Sequence, residues 1–340
     1  MPHSEDERAF LLFNLQPGQR SLSGLGLLAG YYLFSILFGA LLAAPLYWLV
    51  EWTASNILPT IQSWPWLHEN CSQLTNCLLG KTLDNYFERA RMAPILLGLP
   101  WIMWVCCLRS LKALGLNLAR QNVRSALAWG ITGAMLLGIV AAGQISFGGA
   151  AVQNPLPNIA TSVVIAFVGA LIIGLLEEII FRGLVLRIFY TAFGGVWAVI
   201  LSSAFYAYTH FKVPDTLVNA VAGDSRFATG IDVGFWTLFG IVKSFSAIEF
   251  LVLFGLGSAI GQVFLKTRNL LPGIGLHTGI VFTMLFYRTF FNVAHPDSFW
   301  GNTGFKDGWA SLIVVAVLNL AIWLYDRPAR RQKPAIQSKS

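Results

Sequence analysis

Leu175-Leu176-Glu177-Glu178-Ile179-Ile180-Phe181-Arg182-Gly183 sets two carboxylates and a guanidinium inside an apolar run that otherwise reads as a membrane-spanning helix. Each such charge costs about 2.5 to 3.5 kcal/mol at a transmembrane helix centre on insertion scales, so an ionisable cluster there points to function. On a helix, Glu178 and Arg182 fall at i and i+4 with the acid first, the favourable order for an ion pair. A pair of this kind also serves as a packing or folding device. Glu177 stands about 100° from Glu178 and about 140° from Arg182 around the helix. It is left to face a different cavity, unpaired and free to act on a water.

The surrounding chain supplies the membrane. Of 340 residues, 56% are hydrophobic and only 11% charged, with a mean hydropathy of +0.63, whereas a soluble domain carries about 25% charged residues. Long apolar runs at 24–50, 93–111, 125–145, 160–190, 194–213, 248–266, 270–291 and 308–325 each come near or exceed the ~20 residues a crossing needs. The fold expected is all-α, a polytopic membrane helix bundle of about eight transmembrane helices. The net charge of +7 excludes little by itself. Its basic residues sit in short links and at 327–340, as the positive-inside rule places them, so nucleic acid is not an expected partner and the lipid bilayer is.

Charge asymmetry orients the bundle. The link 109–124 holds Arg109, Lys112, Arg120 and Arg124 with no acid, and 327–340 is a basic tail, so both are expected to be cytoplasmic, with both termini inside. The acidic stretch Met1–Arg8 and the long first apolar run predict a retained span rather than a cleaved signal. By alternation, the loop 51–92 and the links 146–159 and 292–307 fall outside. Cys71 and Cys77 lie in the first of these, where two free thiols and a disulfide are equally open readings. The segment 211–247 mixes charge with apolar residues and reads as an extracytoplasmic loop with partly embedded helices.

Two histidines reach the charged cluster. If the helix carrying Glu177 turns back at Gly194-Gly195, position 210 lies level with 177 in the hairpin. It is His210, with Tyr206 one turn before it on the same face. His277 follows Arg268 by nine residues, about 13 Å of rise, and Glu177 precedes Arg187 by ten, about 15 Å, so the depths match. Glu177, His210 and His277 together are the side chains of a water-activating site.

This order, Glu-Glu-x-x-x-Arg, then an aromatic-x-x-x-His, then a histidine in Gly-Leu-His, resembles the type II CAAX prenyl protease family and its bacterial CPBP (CAAX protease and bacteriocin-processing) relatives over about 155–291. The resemblance implies an intramembrane endopeptidase in the inner membrane of a bacterium, acting on a membrane-associated peptide or protein. It implies that Glu177, helped by His210, activates the attacking water and that His277 stabilises the oxyanion, with Glu178, Arg182 and Tyr206 in support. The organisation expected is an N-terminal transmembrane region (1–150), a protease core (151–326) and the tail (327–340). One departure stands out: the family places an asparagine one turn after the second histidine, and this chain has Val281. Another donor then substitutes, with Thr278 and Arg182 the nearest, or activity is weak.

Three function classes compete. A hydrolytic water mechanism without a covalent intermediate leads, because no Gly-x-Ser-x-Gly elbow or Ser-His-Asp arrangement is present. No cofactor is expected. The alternative is zinc held by Glu177, His210 and His277, an open three-ligand set, although no His-Glu-x-x-His helix is present. A proton-coupled transporter would use the same groups as a relay, but the inverted repeat typical of transporters is missing. A catalytically silent scaffold or immunity protein is the third class, favoured by Val281.

Overall fold

The computed structural model describes residues 10–57, 81–211, 226–293 and 297–325. Cys71, Cys77 and the basic tail lie outside them. Helices α1 (Ser23–Asn56), α2 (Leu83–Val105), the single turn α3 (Leu111–Leu114) and α4 (Arg120–Phe147) lead to α5 (Ile159–Glu178). A π-helical stretch (Ile179–Val185) then joins α5 to α6 (Leu186–Phe193). Next come α7 (Gly195–Thr209), α8 (Phe227–Phe239), α9 (Ile241–Ser244), α10 (Ala247–Thr267), α11 (Leu271–Phe290) and α12 (Trp309–Tyr325).

Among the described residues, each of the eight apolar runs is largely helical, as its composition demands. Among the described residues, length and hydropathy together qualify four stretches as candidate spans: Ser23–Asn56, Arg120–Phe147, Ile159–Phe193 and Ala247–Thr267. Shorter apolar helices, α7, α8 and most of α12, accompany them. The count of about eight crossings is therefore not confirmed, although α2 and α11, with 23 and 20 residues, are also long enough to cross. Two further features depart from the expected all-helical pattern. The link 146–159 contains β1 (Ala150–Val152), which pairs antiparallel with β2 (Phe291–Val293), Ala151 opposite Asn292. The helix over 93–111 instead begins ten residues earlier, at Leu83, and ends at Val105.

Packing divides the chain into two compact units, one of residues 25–105 and 211–245, the other of 1–24, 106–210 and 246–340. In the first unit, α1, α2 and α8 bury Ile36, Ala40, Phe87 and Val233 together. Gly230 of α8 lies so close to α1 that a Cβ there would meet the Ala40 carbonyl oxygen at 2.6 Å.

The second unit is built on close crossings at small residues. A Cβ added at Gly275 would stand 2.0 Å from the Ala126 carbonyl oxygen, and one at Gly279 2.0 Å from that of Gly130. No side chain fits between backbones at that separation. This small-x-x-x-small face brings α11 onto α4, as in membrane helix pairs generally, and His277 lies midway between the two glycines. Gly174 of α5 packs on Thr278 of α11, and Gly257 of α10 on Ser203 of α7.

Local signals fix the helix ends. The Asn158 side chain accepts from the Thr161 N–H to cap α5, and the Asn269 side chain accepts from the Leu271 N–H at the start of α11. Gly194, with φ of +89°, turns the chain from α6 into α7, a conformation that glycine adopts without strain. Arg187 is buried. Its guanidinium donates to the carbonyls of Phe10 and Ala113 at 2.9 and 2.6 Å. It ties the N-terminal segment and α3 to α6.

Candidate active site

Glu177 and Glu178 end α5, where the backbone widens into the π-helical stretch. Such wide turns recur at functional sites because they re-aim side chains. The two glutamates part company here. Glu178 is fully buried, and its Oε1 accepts from Arg182 Nη1 at 2.8 Å. Arg182 also donates to the Gly257 carbonyl at 3.2 Å, reaching the α10 backbone where that residue has no side chain. The Tyr206 ring lies against its guanidinium, 5.0 Å away.

Glu178 has a second partner that its helix position does not reveal. His277 Nδ1 lies 2.8 Å from the same Oε1. A carboxylate only accepts, so this nitrogen carries the proton and the ring is held with Nε2 pointing away. That Nε2 stands 3.6 Å from Glu177 Oε2. The series Arg182, Glu178, His277 is thus a buried, charge-assisted chain that aims one imidazole at the other glutamate.

His210 approaches from the opposite wall. It caps α7, and its Nδ1 donates to the Tyr206 carbonyl at 2.8 Å. Its Nε2 is left to face Glu177 Oε2 at 3.9 Å. Tyr206 sits between the groups, its ring 4.4 Å from His210 and edge-on to Phe181 at 4.9 Å, with its hydroxyl against the Glu177 carboxylate. Glu177 Oε2 is buried, and among the described residues it has no hydrogen-bond partner.

Glu177, Tyr206, His210, His277 and Val281 all line one cavity of about 260 Å³, whereas Glu178 and Arg182 stand behind its wall. The remaining wall is mainly apolar, from α4, α10, α11 and α12. Two side chains in it escaped the reading of the sequence, Lys306 and Ser311. Lys306 forms a close ion pair with Glu249. Glu249 stands in the first turn of α10, and no local spacing joins the two. Neither side chain expected to stand in for the absent asparagine lines the cavity. Thr278 Oγ1 packs toward Gly174, and Arg182 is spent on Glu178 and Gly257.

Among the described residues no group of three or more His, Cys, Asp or Glu is arranged to hold a metal ion. Two imidazole nitrogens facing one carboxylate oxygen instead make a pocket of acceptors and donors suited to a polarised water.

Residues 159–283 match the family model described as type II CAAX prenyl endopeptidase Rce1-like. The matched stretch contains Glu177, Glu178, Arg182, Tyr206, His210, His277 and Val281 and stops short of Lys306 and Ser311. No curated protein and no solved structure matches the chain.

Proposed function

From an Rce1-like type II CAAX prenyl endopeptidase domain at residues 159–283, in a chain whose long apolar helices make it an integral membrane protein, we propose an intramembrane endopeptidase that hydrolyses its substrate with a Glu177-activated water. The observation that carries this reading is the buried, unpartnered Glu177 Oε2 with two imidazole Nε2 atoms 3.6 and 3.9 Å from it. A water held by Glu177 and His210 gives its proton to Glu177 as its oxygen attacks the scissile carbonyl carbon. The proton then passes to the leaving nitrogen as the C–N bond breaks, releasing a carboxylate and an amine.

His277 supports the oxyanion of the tetrahedral intermediate. To donate through Nε2 it carries both ring protons, and the Glu178 carboxylate on Nδ1 supplies the counter-charge. No metal takes part in this scheme. The substrate is a membrane-associated peptide or protein, and the apolar wall receives its side chains or lipid tail. The test is Glu177→Gln, which keeps size and removes the base. Against a panel of membrane-anchored peptides, the variant should lose about 10³-fold or more in turnover at unchanged folded yield. Cleavage at the wild-type rate by this variant would sink the mechanism. A chelator that abolishes wild-type cleavage would replace it with a metal-assisted one.

The silent-scaffold reading rests on one specific observation, Val281, which is buried in the cavity wall where the resemblance calls for an amide. It gives way if wild type cleaves any member of the panel.

A further inference from the structure

Ser311 is the odd group in the cavity wall. It lies in the first turn of α12, is 3% exposed, and its Oγ has no hydrogen-bond partner among the described residues. A buried hydroxyl without a partner costs roughly 1 to 3 kcal/mol, so its position calls for a bound group that completes it. The other polar side chains of the wall are engaged. Tyr206 leans on Glu177, His210 and His277 are anchored through Nδ1, and Lys306 is paired with Glu249.

We propose that the Ser311 hydroxyl donates a hydrogen bond to the substrate's scissile carbonyl oxygen and to the oxyanion formed from it, filling the role that Val281 leaves vacant. This inference rests on the endopeptidase reading. Three observations converge on it. Ser311 lines the same cavity as Glu177 and both histidines. The remaining candidates, Thr278 and Arg182, lie outside that cavity. The start of α12, where Ser311 sits, is the positive end of its helix dipole and favours developing negative charge. Ser311 also lies beyond the stretch that matches the family model, so the donor has moved to another helix.

The experiment compares Ser311→Ala, Val281→Asn and the double variant in full-length protein, using the membrane-anchored peptide that wild type cleaves best. Ser311→Ala should lower kcat by about 10²-fold with KM nearly unchanged, the signature of a donor used mainly in the transition state. Its melting temperature should be unchanged or higher, because the hydroxyl removed has no partner among the described residues. In the double variant, Val281→Asn should recover at least about tenfold of the kcat that Ser311→Ala lost.

An unchanged kcat in Ser311→Ala overturns the proposal while leaving the endopeptidase intact. A rise in KM alone does the same, showing a substrate grip instead, and so does a kcat loss matched by a lowered melting temperature, which marks a packing role. If wild type cleaves no peptide of the panel, the endopeptidase reading fails first, before any variant is measured, and this role falls with it.

Discussion

Glu178 answers to two partners, and its loss should therefore show in two measurements. Arg182 is 2% exposed and depends on Glu178 for charge. Leaving such a group unpaired costs about 3 to 5 kcal/mol. His277 depends on the same oxygen for its orientation. We expect Glu178→Gln to lower both the folded yield in detergent and the turnover per folded molecule. His277→Ala added to it should cost little further turnover, because the imidazole is already adrift; fully additive losses would show that the two act separately. Helix geometry made the Glu178–Arg182 pair legible, since four residues on one helix is a local rule. The bond from Glu178 to His277 was not, because it joins two helices through packing that no spacing encodes. The same holds for Ser311, an ordinary serine near a helix start until the fold places it in the cavity.

Among elements, the crossing of α4 and α11 decides where His277 sits. Gly275→Ala puts a methyl 2.0 Å from a backbone oxygen that cannot swing aside as a side chain would, and overpacking of this kind costs about 1 to 3 kcal/mol or more. The helices must separate, and His277 is carried away from Glu177. We expect a lower melting temperature and a loss of turnover exceeding the loss of folded protein. Gly138→Ala on α4, with nothing within 4 Å, is the control and should change neither. Equal behaviour of the two variants would show that the close crossing does not position the site. The apolar runs announced these helices, because a membrane segment leaves the backbone no other way to satisfy itself. Missed were the features set by tertiary packing. The pairing of β1 with β2 joins residues far apart in sequence, and the π-helical widening after Glu178 lies inside a run whose composition suits an ordinary helix. Arg187, from which the depth of Glu177 was counted, is held buried by two backbone carbonyls that no spacing announces.

Across the second unit as a whole, the cavity belongs to no single stretch of chain. The catalytic candidates arrive on α5, α7 and α11, but Leu137 and Val140 of α4 and Val314 and Val315 of α12 close the space in which they work. Those helices lie outside residues 159–283, so the stretch that matches the family model carries the candidate catalytic groups and the rest forms much of the container. A substrate bound for cleavage must then shield α12 as well as Glu177. This is measurable by thiol labelling in a background where Cys71, Cys77, Cys106 and Cys107 are alanine, with Glu177→Gln present so that the bound peptide is not consumed. Val314→Cys, in the cavity wall, should react with a small thiol reagent, and the membrane-anchored peptide should slow that reaction in step with its occupancy. Ile139→Cys, 63% exposed on α4 and absent from the cavity wall, should react at one rate with or without peptide. If the peptide protects neither position, it binds elsewhere and the cavity is a packing void. If it protects both, the peptide has altered the whole bundle rather than filled one space.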